Sequence, residues 1–262
     1  MKNFLVIGNP IEHSLSPQLH NFWIKRNNID AIYKKKKLDD SELKNLILEV
    51  KNKKINGINV TTPFKKKIID HLDTLSAEAE ITQSVNTIFL DNGKVVGHNT
   101  DIDGFEKSIK DTKFNISQKN VFILGAGGVV PSLIFSLMRM KASKVTITNR
   151  TKINAENLKA SFQNLDVIDW GIVPNFDMII NATSIGLNKN EEINLDLSKE
   201  KDKFFYDIIY NPSETNFLRS AKRLGNKVEN GKKMFIYQAA AAFKIWHGFY
   251  PKVDEEVIKI LD

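Results

Sequence analysis

The 262-residue sequence contains no cysteine, which excludes disulfides, a thiolate nucleophile and a thiolate metal site. No apolar run approaches membrane-spanning length. The apolar N-terminal stretch, residues 4–7, is too short for a signal peptide and ends at a glycine, so we predict a first strand there. These features favour a soluble, cytoplasmic protein. Hydrophobic residues make up 42% of the chain, which is enough to pack two domains of ordinary size.

Arginine is scarce, and lysine carries almost all of the positive charge behind the formal net charge of +7. The lysines are spread along the chain, apart from residues 34–37 and 65–67. No basic cluster is interleaved with aromatic side chains, as a nucleic-acid groove requires. We therefore expect neither nucleic-acid binding nor membrane binding. The excess positive charge would instead attract anionic small molecules.

The stretch 121–133 combines an apolar strand, a glycine turn and the start of a helix. Gly125, Gly127 and Gly128 follow four apolar residues, and Pro131 suits the first turn of a helix because its missing N–H is not needed there. The free backbone N–H groups of such a turn suit a phosphate. Val130 takes the place of the third glycine of the dinucleotide fingerprint, so a helix merely packed close to a strand is the alternative.

A second predicted strand, residues 144–148, ends at Asn149-Arg150-Thr151. This is about the distance from the glycines at which a dinucleotide fold places its ribose-reading residue. An acidic residue there would bind the 2′-hydroxyl of NAD, whereas Arg150 with two small hydrogen-bonding neighbours suits a 2′-phosphate. The sequence therefore favours NADP over NAD as cofactor. A solvated arginine at a strand end is the alternative.

The first sixty residues alternate predicted strands and helices, which indicates a parallel sheet. The predicted strands are 4–7, 31–36 and 57–60, and the predicted helices run over 17–26 and 41–51. Ser16 is the predicted N-cap of the first helix. Ser14 and Ser16 could bind a carboxylate through hydroxyls and backbone N–H groups. Alternatively, one serine caps the helix and the other has no role.

Lys65 follows the third predicted strand at its carboxyl end, where parallel α/β sheets bind ligands. A lysine in the first turn of a helix is poorly placed for the helix dipole, which hints at a functional demand. Further along, Asp91-Asn92-Gly93 predicts a hairpin, after which Asp101 leads into another helix. Asp101 could cap that helix or face Lys65, and the spacing does not decide between the two.

Several motifs, in order and over essentially the whole chain, resemble those of shikimate dehydrogenases. They are His13-Ser14-Leu15-Ser16-Pro17 with His20-Asn21, Asn59-Val60-Thr61-x-Pro63-x-Lys65, Val85-Asn86-Thr87, Asn99-Thr100-Asp101, Gly125-Ala126-Gly127-Gly128, Asn149-Arg150-Thr151 and Asp207-Ile208-Ile209-Tyr210-Asn211-Pro212 with Thr215. The resemblance implies an α/β fold of two domains with a cleft between them. An N-terminal substrate-binding domain, 1–101, would be completed by C-terminal helices within 234–262. A Rossmann-like NADP-binding domain would span 102–233.

The resemblance implies the reversible, NADPH-dependent reduction of 3-dehydroshikimate to shikimate in chorismate and aromatic amino-acid biosynthesis. Lys65 and Asp101 would be the catalytic pair, with Lys65 donating a proton to the carbonyl oxygen or stabilising its charge. Implied substrate-binding residues are Ser14, Ser16, Thr61, Lys65, Asn86, Asp101, Tyr210 and Gln238. Implied cofactor-binding residues are Gly125, Ala126, Gly127, Gly128, Val129, Asn149, Arg150, Thr151, Ile208 and Gly231. No metal is expected, and a homodimer is possible.

Two departures from the family pattern could change cofactor binding. Lys232-Lys233 stand where the family usually has a second glycine after Gly231, and Val129-Val130-Pro131 replace small residues after the glycine turn. The alternatives are a quinate/shikimate dehydrogenase that uses NAD(P), a folate-linked methylene dehydrogenase and a catalytically silent NADP-binding homologue. Arg150 argues against use of NAD, the paired serines against the folate-linked enzyme, and the intact Lys65, Asp101 and glycine turn against the silent homologue.

Overall fold

The computed structural model describes residues 1–188 and 190–261. The chain divides into two compact units, one made of Met1–Gly104 with Ile236–Asp262 (unit 1) and one made of Phe105–Phe235 (unit 2). In the described part of the chain, no helix has both the length and the apolar character that crossing a membrane would demand.

Unit 1 is built on a six-stranded mixed sheet of order β2-β1-β3-β5-β6-β4. The strands are β1 Lys2–Gly8, β2 Ala31–Lys37, β3 Gly57–Val60, β4 Thr74–Leu75, β5 Thr87–Asp91 and β6 Lys94–His98. The predicted parallel sheet is confirmed for β2, β1 and β3, whereas β5 runs antiparallel to both β3 and β6. The hairpin between β5 and β6 turns at Asn92 and Gly93, which both have positive φ, as a tight two-residue hairpin requires.

The helices that begin in the first part of the chain are α1 Ser16–Arg26, α2 Leu43–Lys51, α3 Phe64–Lys67, α4 Ala77–Thr82 and α5 Asp101–Thr112. In α2 the leucines, isoleucine and valine at positions 43, 46, 47 and 50, which recur at helical spacing, are all buried on one face. The predicted N-cap of α1 is wrong. Leu15 caps the helix, and the Ser14 hydroxyl instead accepts the amide N–H of Ser16, the first helical residue.

The C-terminal segment packs on the sheet of unit 1. It carries most of α9 Lys232–His247 and all of α10 Glu255–Lys259. Trp246 covers Gly57 of β3 so closely that a Cβ on this glycine would lie 2.3 Å from the indole nitrogen. The same nitrogen donates a hydrogen bond to the Ile88 carbonyl, 3.1 Å away. This segment is therefore part of the core of the unit that the first hundred residues form.

Unit 2 contains a six-stranded sheet of order β12-β11-β10-β7-β8-β9 in which every neighbouring pair is parallel. The strands are β7 Asn120–Leu124, β8 Lys144–Thr148, β9 Leu165–Ile168, β10 Met178–Asn181, β11 Phe204–Asp207 and β12 Lys227–Glu229. The helices that lie wholly within this unit are α6 Val130–Arg139, α7 Lys152–Glu156 and α8 Asn216–Arg223. This strand order is that of the doubly wound dinucleotide-binding fold, in which the order of strand addition reverses between β7 and β10.

Candidate active site

Lys65 and Asp101 form a nearly buried ion pair in unit 1. Lys65 lies in α3, just beyond the carboxyl end of β3, and Asp101 is the first residue of α5. The ammonium nitrogen is 2.6 Å from Asp101 Oδ2, and the two side chains are only 13% and 8% exposed. The structure thus decides between the two roles that the sequence left open for Asp101, because its carboxylate faces the lysine.

Asn86 connects this pair to α9. Its side-chain amide donates to Asp101 Oδ1 at 2.9 Å and to Gln238 Oε1 at 3.4 Å. Its oxygen accepts from the backbone N–H and the hydroxyl of Thr100, at 2.8 and 3.1 Å. Four predicted site residues therefore lie together: Lys65, Asn86, Asp101 and Gln238.

Ser14, Ser16 and Thr61 lie in the segments that follow β1 and β3. Because neighbouring parallel strands end at the same edge of a sheet, these residues share that edge. Ser14 Oγ accepts the amide N–H of Ser16 at 3.3 Å, at the start of α1. Thr61 packs against Gly8, where a Cβ would lie 2.6 Å from the threonine methyl.

The glycine turn of unit 2 lies between β7 and α6, as the sequence predicts. Gly125 has φ +104°, and a Cβ on it would lie 2.8 Å from the carbonyl oxygen of Ala182 at the end of β10. A Cβ on Gly127 would meet nothing within 4 Å. Gly127 and Gly128 are exposed, so the backbone here is open to a phosphate.

Asn149, Arg150 and Thr151 follow β8 directly. The Gly125 N–H donates to the carbonyl of Thr148, 2.8 Å away, so the strand that precedes these residues adjoins the glycine turn. The Asn149 amide donates to the Thr151 carbonyl at 2.8 Å, and Arg150 is exposed. An exposed guanidinium beside an open glycine turn fits a dinucleotide that carries a 2′-phosphate.

Ile208 and Gly231 meet in unit 2. The Gly231 N–H donates to the Ile209 carbonyl at 3.1 Å. A Cβ on Gly231 would lie 2.0 Å from the carbonyl oxygen of Ile208, so only glycine fits this position. The Ile208 N–H donates to the carbonyl of Asn181 at 3.0 Å, which keeps the residue beside the end of β10.

Tyr210, the remaining predicted substrate contact, also belongs to unit 2. Its ring stacks on Phe235 at a centroid distance of 4.5 Å. Burial raises the pKa of its hydroxyl to about 12. The phenol is therefore neutral at physiological pH and is able to donate a hydrogen bond.

The turn that carries Ile208 and Tyr210 is held by Asp207, the last residue of β11. This carboxylate accepts hydrogen bonds from Thr215 Oγ1 at 2.6 Å, the Ile209 N–H at 3.0 Å and the Asn181 amide at 3.1 Å. The strand therefore ends at Asp207, whose own side chain accepts the Ile209 N–H.

The two departures from the family pattern, at residues 129–131 and 232–233, have local structural consequences. Val130 is fully buried in the core of unit 2, and Val129 caps α6 without a side-chain hydrogen bond. Lys232 begins α9 directly after Gly231, with its N–H donated to Asn230 Oδ1 at 3.0 Å. Lys233 lies 3.8 Å from Glu229.

Sequence reasoning missed a set of buried polar residues behind the ion pair. Tyr33, Asn59, Thr87 and Thr100 are all buried and make side-chain hydrogen bonds to one another or to Asn86. One signal was available, because Asn59 interrupts the apolar run of a strand that is buried at every position. A polar side chain in such a strand needs hydrogen-bond partners.

The fold and these residues define a class: an α/β protein with a dinucleotide-binding unit and a second unit that presents a lysine–aspartate pair. Family models match three consecutive parts of the chain. They are the shikimate dehydrogenase substrate binding domain at residues 6–88, shikimate / quinate 5-dehydrogenase at residues 107–214 and the shikimate 5′-dehydrogenase C-terminal domain at residues 233–255. The chain belongs to the shikimate dehydrogenase family, and the predicted fold class is confirmed.

Individual relatives agree over the full length. A protein of Pelagibacter ubique (strain HTCC1062) named shikimate dehydrogenase (NADP(+)) is 55% identical over 100% of this chain and 99% of its own. The crystal structure of shikimate dehydrogenase from Aquifex aeolicus matches with a TM-score of 0.91 at 36% identity, over 100% of this chain and 97% of that one. Shikimate 5-dehydrogenase from Thermus thermophilus, solved in complex with NADP(H) and shikimate, matches with a TM-score of 0.89 at 30% identity, again over 100% and 97%.

Proposed function

We propose that the protein is an NADP-dependent shikimate dehydrogenase that reversibly reduces 3-dehydroshikimate to shikimate, in chorismate and aromatic amino-acid biosynthesis. The observation that carries this proposal is the Lys65–Asp101 pair, 2.6 Å apart and nearly buried among amides and hydroxyls. The full-length likeness to relatives named for this activity supports it.

In the reduction, Lys65 donates a proton to the carbonyl oxygen of the substrate or stabilises the charge that develops there. Asp101 holds the ammonium in place through its Oδ2, while its Oδ1 is held by Asn86. Bound NADPH supplies the hydride.

Unit 1 is proposed to bind the substrate. Ser14 and Ser16 hold the carboxylate, and the ring hydroxyls are bound by the polar residues Thr61, Asn86, Asp101 and Gln238. Tyr210 in unit 2 is a further proposed substrate contact. A site made of polar groups rejects analogues that leave those groups unpaired, so we expect quinate to be a poorer substrate than shikimate.

Unit 2 is proposed to bind NADP. The exposed turn Gly125–Val129 receives the pyrophosphate, and Asn149, Arg150 and Thr151 receive the 2′-phosphate. Ile208 and Gly231 contact the nicotinamide end. Gly127, Gly128 and Arg150 are exposed, so a ligand can reach them.

One assay tests the reaction. The purified protein is mixed with shikimate and NADP, and the formation of NADPH is followed. The assay is repeated with quinate in place of shikimate and with NAD in place of NADP. We expect the highest rate with shikimate and NADP. A higher rate with quinate or NAD would favour a quinate/shikimate dehydrogenase, and no activity with any pair would favour a silent NADP-binding homologue.

Cofactor preference has its own test. Arg150→Ala is expected to raise KM for NADP roughly tenfold or more and to leave KM for NAD within about twofold, because only NADP carries the phosphate. Arg219→Ala is the matched control, since this exposed arginine of α8 pairs with Glu214 at 3.2 Å. Equal KM changes for both cofactors would contradict the assignment of Arg150.

The oligomeric state and the compartment stay predictions. We propose a homodimer located in the cytoplasm. Light scattering after size-exclusion chromatography would give twice the chain mass of 29.8 kDa for the dimer. A single-chain mass at micromolar concentration would contradict it, and fractionation of the source cells tests the location.

A further inference from the structure

Three buried polar residues lie in the sheet of unit 1 behind Asn86, and the proposed reaction gives them no role. Tyr33 is on β2, Asn59 on β3 and Thr87 on β5. Their exposed fractions are 2%, 7% and 0%. Because a buried polar group without a partner is costly, polar side chains in three strands of one sheet call for an explanation.

The first half of the set connects Tyr33 to Asn59. The Tyr33 hydroxyl donates to Asn59 Oδ1 at 2.7 Å. Burial raises the pKa of this phenol well above its usual value, so it keeps its proton and remains a donor.

The second half connects Asn59 to the ion pair. The Asn59 amide donates to Thr87 Oγ1 at 3.1 Å and to the backbone carbonyl of Asn86 at 3.0 Å. Thr87 Oγ1 donates to the side-chain oxygen of Asn86 at 2.9 Å. The Asn86 amide then donates to Asp101 Oδ1 at 2.9 Å.

All donors in this series point the same way, from Tyr33 towards the carboxylate of Asp101. Hydrogen bonds in such a chain polarise one another, and a charge at the end favours a single direction. The chain also fixes which end of the Asn86 amide faces Asp101, since Thr87 and Thr100 both donate to its oxygen. We name the series Tyr33, Asn59, Thr87, Asn86 and Asp101 the donor chain.

We propose that Tyr33, Asn59 and Thr87 are positioning residues that hold the Asn86–Asp101 pair in one arrangement. The donor chain would therefore set the orientation of the carboxylate that holds Lys65. This inference rests on the proposed function, because it assumes that Lys65 acts on the substrate.

The structure offers a substitution that removes only the tyrosine oxygen. The Tyr33 ring stacks face to face on His20, with centroids 4.2 Å apart and planes 2° from parallel. Phenylalanine preserves that contact, so Tyr33→Phe breaks the donor chain without opening a cavity. Tyr206→Phe is a matched control in unit 2, because Tyr206 is also fully buried and its hydroxyl lies 2.8 Å from Ser108 Oγ.

The first experiment compares these two variants with the wild type in the oxidation of shikimate by NADP. Both are expected to lower Tm by similar amounts, since each leaves one buried partner unsatisfied. Only Tyr33→Phe is expected to lower kcat, by roughly fivefold, with KM for NADP within about twofold of the wild type, because Asp101 then holds Lys65 less firmly. Equal kcat in the two variants would overturn the proposal.

A second pair of variants tests the part of the donor chain between Asn59 and Asp101. This pair decides whether the donor chain exists if Tyr33→Phe does not fold. Thr87→Val keeps the side-chain shape but removes the hydroxyl, and Thr87→Ser keeps the hydroxyl. We expect kcat/KM for shikimate to fall roughly fivefold in Thr87→Val and to stay within about twofold in Thr87→Ser. Equal values for both would overturn the donor chain while leaving the proposed function intact. A wild type unable to oxidise shikimate would overturn both.

Discussion

Asp101 in unit 1 and Asp207 in unit 2 are both buried aspartates, but they are held by different kinds of partner. Asp101 pairs with the cation of Lys65 at 2.6 Å and accepts the amide of Asn86 at 2.9 Å. Asp207 accepts from neutral donors, which are Thr215 Oγ1, the Ile209 N–H and the Asn181 amide.

The difference shows two ways to use a buried carboxylate. Burial raises the pKa of Asp207 from 3.8 to about 6, although the three hydrogen bonds oppose that rise. Its donors come from β10, from the segment after β11 and from the N-cap of α8. Asp207 therefore stabilises the turn that follows β11, and it does so without a cation. Asp101 instead orients an ammonium, which makes the pair suitable for proton transfer.

The largest expected effect comes from removing the cation of the first pair. Lys65→Ala should lower kcat for shikimate oxidation by about 10²- to 10⁴-fold, because the group that exchanges a proton with the substrate oxygen is lost, with the Kd for NADP near the wild-type value. Steady-state kinetics and cofactor titration measure both. Lys67→Ala is the control, since Lys67 is an exposed lysine of the same helix that pairs with Asp40. A kcat within about twofold of the wild type would remove Lys65 from the mechanism.

The second prediction tests the neutral surroundings of Asp207. The pKa of Asp207 is raised in the folded state. The stability that the protonated carboxyl contributes is therefore complete below pH 3.8 and is lost as the pH rises through about 6. Relative to Asp207→Asn, the wild type should lose about 2 kcal/mol of unfolding free energy between pH 4 and pH 7. Urea unfolding at each pH measures the difference. Parallel curves for the two proteins would show that the carboxylate does not titrate in this range.

A buried histidine of unit 1 makes the unfolding free energy change with pH in the opposite direction over part of this range. Burial lowers the pKa of His20 from 6.5 to about 3, with a smaller effect from His247. Its contribution to stability is complete above 6.5 and is lost as the pH falls towards 3. His20→Phe should reduce the slope of unfolding free energy between pH 6 and pH 5 by about 1.4 kcal/mol per pH unit.

The same variant has a second expected outcome. Both ring nitrogens of His20 are buried without a hydrogen-bond partner among the described residues. At pH 8, His20→Phe should therefore be as stable as the wild type or slightly more so, because no partner is left unsatisfied. The exposed His13→Gln is the control and should leave the pH slope unchanged. A His20→Phe variant with the wild-type slope would contradict the assignment of neutral, buried histidine.

Local signals predicted most of the elements. Four apolar residues before Gly125 gave β7, the alternation over 144–148 gave β8 with its observed bounds, and the spacing of Leu43, Leu46, Ile47 and Val50 gave the buried face of α2. Such patterns depend on neighbours in the sequence, which is why they are legible without a structure.

The remaining features depend on partners that are far away in the sequence. Lys65 meets Asp101 only because β3, β5 and β6 form part of one sheet. Tyr33 reaches Asn59 only because β2 and β3 both pair with β1. The N-cap of α1 was mispredicted for a local reason: Ser16 already belongs to the helix, and its N–H is accepted by the hydroxyl of Ser14. The motifs named the positions of the site, but not the donor chain that orients them.

The contact of Trp246 with Gly57 bears on the order in which the two units fold during synthesis. Unit 2 is one uninterrupted segment, whereas unit 1 needs residues from both sides of it. During synthesis, unit 2 has its whole sequence available while β3 still lacks the indole that will cover it. The sheet that carries Lys65 therefore waits, incomplete, until the stretch that holds this tryptophan has left the ribosome.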